Sequence, residues 1–207
     1  SDALRISQAN LLYDIPVIAP GAFSGLKNEF FRTAGHYHAP KPGQSIAYPE
    51  VYEVISGRAY WLIQRPKPDD PSAIEEIYAV EAGPGEKAVI LPNFGHISVN
   101  AFAEPLVMSN WIGTTFQYDY EPYRRFRGAG WRILEGEMEG TIEFERNKNY
   151  SAVAEIKKVR AKEIPEFGLL RSKPLYTLAA NLEKLDFLLN PEKFTSLLAF
   201  EKCYRVI

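Results

Sequence analysis

The chain has 207 residues, 46% of them hydrophobic and 24% charged, enough for one substantial core. A net charge of -2 with no basic stripe argues against duplex nucleic acid as a partner, and no apolar run approaches the length of a membrane span. The single cysteine, Cys203, excludes an internal disulfide framework; with no basic flank and apolar run at the N-terminus, the cytoplasm is the expected location.

From Leu11 to about Tyr150, glycine and proline punctuate a sequence rich in valine, isoleucine and aromatic residues. Candidate strands fall at Pro16–Ile18, Glu29–Thr33, Val51–Ile55, Arg58–Gln64, Ala88–Ile90, Leu106–Ile112 and about Thr141–Glu145. Turn signals such as Ser56-Gly57 and Gly83-Pro84-Gly85 separate them, which reads as an antiparallel barrel or sandwich. The proline-rich stretch Arg65–Ser72 reads as a loop. After Tyr150, Leu175, Leu178, Leu182, Leu185 and Leu189 recur at helical spacing, and Asn190-Pro191 looks like a cap and first turn opening a second helix. The expected organisation is an all-β barrel over residues 1–150, followed by a mostly helical C-terminal extension, 151–207, packed on the barrel or on a partner subunit.

The three histidines lie in two patches, Gly35-His36-Tyr37-His38 and Pro92-Asn93-Phe94-Gly95-His96. In a strand, residues two apart share a face, so His36 and His38 can aim both imidazoles at one point. Glu50 offers an anionic oxygen from the next strand and His96 closes the site from a later one. Three neutral imidazoles and a carboxylate suit a late divalent ion and leave positions open for substrate. A His-x-His pair alone is most often solvent-facing or a satisfied pair in a core. The crowd of Pro40, Pro42 and Pro49 before Glu50 also keeps Glu53 as a fallback ligand.

The surrounding spacing resembles the two motifs of the cupin superfamily. His36-x-His38 is followed by Glu50 and Gly57, and Gly85, Pro92, His96 and Asn100 follow in turn. The resemblance implies a jelly-roll-like cupin barrel. More closely, Thr33-Ala34-Gly35-His36-Tyr37-His38 resembles the Thr-x-Gly-His-x-His segment of the cupin-type, archaeal-like glucose-6-phosphate isomerases. Glu50-Val51-Tyr52 is similar to that family's Glu-x-Tyr, and Pro92 to Asn100 to its Pro-aromatic-His-x-x-x-Asn segment. The similarity runs from about Val17 to Tyr150. Two departures touch the substrate side: no threonine precedes Pro20-Gly21, and Tyr118 stands where the family has histidine.

This resemblance implies a metal-dependent aldose–ketose isomerase of glycolysis and gluconeogenesis, an intramolecular oxidoreductase interconverting glucose 6-phosphate and fructose 6-phosphate. It implies one divalent metal per subunit, Fe²⁺ first, with Zn²⁺, Mn²⁺, Ni²⁺ or Co²⁺ as alternatives. His36, His38, Glu50 and His96 would be the ligands, Glu50 the general base and Tyr52 a hydrogen-bond donor to the sugar. Glu50 has two tasks in tension, because a carboxylate beside a dication is a weaker base. The expected partner is a small phosphosugar, with no nucleic acid and no membrane, and a homodimer follows from the need to protect an edge strand.

Thr33 and the Gly35 N–H are the phosphate donors the resemblance offers, with Arg32 an added cation and Tyr120 at the mouth. Strict alternation puts Arg32 on the histidine face and Thr33 on the other, whereas a bulge at Gly35 would bring Thr33 round. The Arg124–Arg127 run reads as a solvated loop or subunit contact. A metal-dependent cupin dioxygenase and a non-catalytic sugar-binding cupin are the competing functions.

Overall fold

Apolar and β-branched runs dominate the middle of the chain, and they become its long strands. The computed structural model describes residues 1–25, 28–138 and 140–207. Helix α1 (Asp2–Gln8) leads into short strands β1 (Leu11–Asp14), β2 (Val17–Ile18), β3 (Ala22–Phe23), β4 (Glu29–Phe30) and β5 (Tyr37–His38). The body follows as β6 (Glu50–Ser56), β7 (Ala59–Lys67), β8 (Asp70–Ala82), β9 (Lys87–Ile90), β10 (Gly95–Val99) and β11 (Leu106–Gly113). Next come β12 (Tyr118–Asp119), helix α2 (Glu121–Arg125), β13 (Trp131–Glu135) and β14 (Ile142–Arg146).

One sheet orders β1-β11-β6-β9, with β2 also beside β11. It shares a core with a sheet in which β10, β7 and β8 are neighbours: Val51, Val54, Met108 and Trp111 from the first cluster with Trp61, Ile63 and Val80 from the second. The fold is mostly β, but these are separate hydrogen-bonded sheets and the barrel is not closed. Among the described residues, no helix is long and apolar enough to cross a membrane.

The expected loop at Arg65–Ser72 is instead the tip of a hairpin. Strand β7 runs on to Lys67 and β8 begins at Asp70, with irregular register on both sides of Pro66. Proline cannot donate to a ladder, and a register break is where a strand tolerates one.

The mostly helical extension is also corrected. Strands β15 (Ala152–Val153) and β16 (Lys157–Ala161) pair in parallel with β8, and β17 (Tyr204–Val206) pairs with β16. The leucine repeat forms two 3₁₀ segments, Leu175–Ala180 and Leu182–Leu188, broken at Asn181 (φ -143°). Asn190 precedes a single 3₁₀ turn at Pro191–Lys193, and the one short α-helix described here is α3 (Phe200–Cys203). Of the repeat, Leu175, Leu178 and Leu185 are buried while Leu182 and Leu189 pack half-buried against the same core, so the pattern marked a core-facing side rather than a helix.

What overrides the helix is tertiary anchoring. The Leu175 N–H donates to Glu53 Oε2 (2.6 Å), and the Leu175 carbonyl accepts from Trp111 Nε1 (3.1 Å). A segment pinned by its backbone to a sheet follows the sheet, and 3₁₀ turns are the short-range way to do so.

Candidate metal centre and its surroundings

The four residues the sequence singles out meet in one place. His36 lies opposite His96 in an antiparallel bridge, His38 sits in β5, Glu50 opens β6, and His96 is the second residue of β10. Their ligand atoms all lie within 4.8 Å of one another. His36 Nε2 is 3.1 Å from His38 Nε2, and Glu50 Oε2 is 3.4 Å from the Nε2 of both His38 and His96. Glu53, three residues along β6, falls on the opposite face and is ion-paired to Lys87 Nζ at 2.9 Å. It is not part of the cluster.

The donor set fits a divalent cation. Burial pushes the His36 pKa down to about 3, with His38 adding to the effect, and burial holds His96 well below its ordinary value. These two imidazoles are therefore neutral at pH 7, and each can offer one ring nitrogen as a lone-pair donor. His38 Nδ1 lies 2.7 Å from the Tyr48 carbonyl, which only accepts, so Nδ1 carries a proton and Nε2 is the nitrogen turned to the shared space. Glu50 Oε2 is buried with no hydrogen-bond partner among the described residues. A buried carboxylate oxygen with no committed donor, set among three imidazole nitrogens, is a site that a cation would satisfy.

Glu50 Oε1 accepts a hydrogen bond from Asn110 Nδ2 at 2.7 Å, across the β6–β11 ladder. Nothing in the sequence singled out Asn110, because its value comes from a neighbour sixty residues away. Tyr52 shares the Glu50 face of β6, and its Oη lies 3.1 Å from His96 Nε2. Burial, with the Glu50 charge beside it, raises the Tyr52 hydroxyl well above the usual tyrosine range, so it keeps its proton.

The bulge conditional on Gly35 is present. Arg32 pairs with Val99 and the Thr33 N–H donates to the Ser98 carbonyl, yet His36 pairs with His96. Between those pairings Ala34 and Gly35 together oppose Ile97, with Gly35 at φ 82°. A Cβ at Gly35 would lie 2.5 Å from Ile97 Cγ1, so glycine is required for space as well as for backbone angle. Thr33 thereby stands opposite Ser98 on the histidine face, its Oγ1 accepting from the Ser98 N–H at 3.1 Å. Arg32 is turned away, onto Glu29. Aromatic rings cover the mouth: Tyr118 and Tyr120 lie 4.9 and 5.3 Å from the His36 ring, and Phe116 lies 4.3 Å from that of His38.

The sequence model of the glucose-6-phosphate isomerase family matches residues 1–152. The chain belongs to this family. A glucose-6-phosphate isomerase of Thermococcus litoralis is 27% identical over 113 residues, covering 55% of this chain and 52% of the relative. One from Thermococcus kodakarensis is 31% identical over the same coverage. The chain thus spans about half the length of the curated relatives it matches. Among solved structures, an oxalate oxidase in complex with glycolate superposes with a TM-score of 0.41 at 17% identity, covering 57% of this chain and 49% of that one. A conserved protein with a double-stranded β-helix domain from Klebsiella pneumoniae gives 0.34 at 16% identity, covering 53% and 75%. Within the isomerase family match lie both histidine patches, Glu50, Tyr52 and Asn110, while the strands and 3₁₀ turns after residue 152 lie outside it.

Proposed function

We propose that this member of the glucose-6-phosphate isomerase family is a metal-dependent aldose–ketose isomerase acting on glucose 6-phosphate and fructose 6-phosphate. The observation that carries the reading is the state of Glu50: one oxygen tied to Asn110, the other buried, unpartnered and beside the Tyr52 hydroxyl.

Isomerisation moves a hydrogen between C1 and C2 and a proton between O1 and O2. His36, His38, Glu50 and His96 would hold one divalent ion, Fe²⁺ as the first candidate, whose chemistry when bound is Lewis-acid polarisation of the carbonyl oxygen. Glu50 Oε2, buried and not held by Asn110, has to serve both the ion and the substrate. It takes the proton from C2 of the aldose and returns it to C1, which needs a base held within hydrogen-bond reach. Asn110 keeps the carboxylate from turning out of that position. Tyr52, kept protonated by burial, donates to a sugar oxygen as charge builds on it. Thr33, brought round by the bulge, offers its hydroxyl proton toward the phosphate end. The rings of Phe116, Tyr118 and Tyr120 limit water at the mouth.

The test is incubation of metal-loaded protein with fructose 6-phosphate, reading glucose 6-phosphate with a coupled dehydrogenase. Turnover is expected. Absence of product with Fe²⁺, Mn²⁺, Ni²⁺ and Zn²⁺ in turn would refute the reading.

A further inference from the structure

The arginine run at Arg124–Arg127 has no part in the site described above. By itself such a run is a solvated surface, but here the fold gives it a concave setting. Helix α2 and Arg127, in the left-handed region at φ 56°, bring Arg124 and Arg127 into a cleft of about 600 Å³ that Arg32 and Arg132 also line. Glu29 is the carboxylate among the described lining residues, so four guanidinium groups face one acid.

That acid is already in use. Glu29 Oε1 accepts from Arg32 Nε at 2.5 Å, and Arg32 Nη1 donates to the Thr33 carbonyl at 3.1 Å. The Arg32 side chain is only 16% exposed, and the two bonds fix it in one orientation with its Nη2 edge uncommitted among the described residues. Gly128, at φ 125°, keeps that edge open: a Cβ there would lie 3.4 Å from Nη2. Arg124 and Arg127 form no ion pair among the described residues.

Like charges gathered in a concave setting repel one another unless an anion shares the space. The fork of an arginine matches the oxygens of a phosphate in geometry as well as charge. The volume falls in the range of small-molecule sites, large enough for more than a bare ion. The cleft also borders the candidate metal centre: of its lining residues, Gly35 directly precedes His36 and the Tyr120 ring lies 5.3 Å from that of His36.

We propose that this arginine cleft binds a phosphomonoester dianion. The phosphate has two sources: the end of a sugar held at the metal centre, or a separate phosphorylated compound seated beside it. The cleft itself does not depend on the isomerase reading, and the experiment keeps the two apart.

Inorganic phosphate is titrated into metal-loaded protein at low ionic strength by calorimetry, comparing wild type with the Arg124→Ala/Arg127→Ala double variant. Both positions are exposed, so the fold is not at stake. Arg125→Ala, on the same helix but outside the cleft lining, is the control. Loss of two charged donors is expected to weaken phosphate binding about tenfold or more, with Arg125→Ala unchanged. Saturable binding lost in the double variant supports the cleft even where wild type turns over no sugar phosphate. Where it does turn over, a matching rise in KM for fructose 6-phosphate identifies the substrate as the source, and an unchanged KM identifies a second compound. No saturable phosphate binding by wild type, or equal affinity in wild type and double variant, overturns the proposal; the latter places the phosphate on the metal ion.

Discussion

Asn110→Ala removes the donor that orients the Glu50 carboxylate without touching any of the four candidate ligands. Asn110 is 6% exposed and Glu50 2%, so the 2.7 Å bond between them escapes solvent screening. A hydrogen bond to a charged, buried acceptor contributes about 1.5–3 kcal/mol, or roughly 10- to 150-fold in an equilibrium constant. Part of that falls on the fold and part on the site, so metal affinity should weaken about 10- to 100-fold, as for other supporting residues of metal ligands. The same loss of orientation should lower kcat more than it raises KM. Asn110→Asp is the sharper version, because it sets a second carboxylate against Glu50 and drives one of the pair to take up a proton. Metal dissociation constants from competition with a chromophoric chelator separate the binding effect from steady-state kinetics on the loaded protein. If both variants keep metal affinity and kcat within about twofold of wild type, Asn110 does not position Glu50 and the argument fails.

Other outcomes follow from the same geometry. Glu50→Gln should cut kcat by about 10²- to 10⁴-fold, and wild-type turnover in D₂O should place solvent deuterium at C1 or C2. Full retention of the substrate hydrogen would instead mean a hydride shift. Glu53→Ala should cost about 3–5 kcal/mol in urea denaturation, because it strands the buried Lys87 ammonium and the Leu175 N–H. A loss under about 1 kcal/mol would show that the C-terminal segment is held by its leucines alone. Cys203 is buried, and burial pushes its thiol up to about 12. The native state therefore favours the protonated thiol: its stabilising effect is present below the ordinary thiol range and is lost as pH rises from about 8.5 toward the native value. Thiol reagents should label it only after unfolding, and native labelling at the unfolded rate would contradict its burial.

The candidate metal centre was legible because its information is local. His36 and His38 are two residues apart, and period-two alternation carries Glu50 and Tyr52 to one face of β6 and Glu53 to the other. The long strand β8 was harder to read, since Glu75 and Glu76 interrupt its apolar run and its first residues, Asp70-Pro71-Ser72, read as part of the turn before it. The leucine repeat at 175–189 marked the core-facing side, with Leu182 and Leu189 only half-buried, but not the conformation, because spacing says which side chains face the core and not what pins the backbone.

What the sequence determined by itself was the three histidines and a choice of two glutamates, with a glycine before the first histidine that accommodates a bulge. Everything that depends on partners distant in the chain was decided by the fold. Asn110 reaches Glu50 through the β6–β11 register, and Glu53 is removed from the site by Lys87 on the neighbouring β9. The bulge at Ala34 and Gly35 sends Thr33 to the histidines and Arg32 to the arginine cleft. A one-residue shift in register reverses the face of every side chain beyond it, and it is set by which strand lies alongside, a fact that exists only in three dimensions.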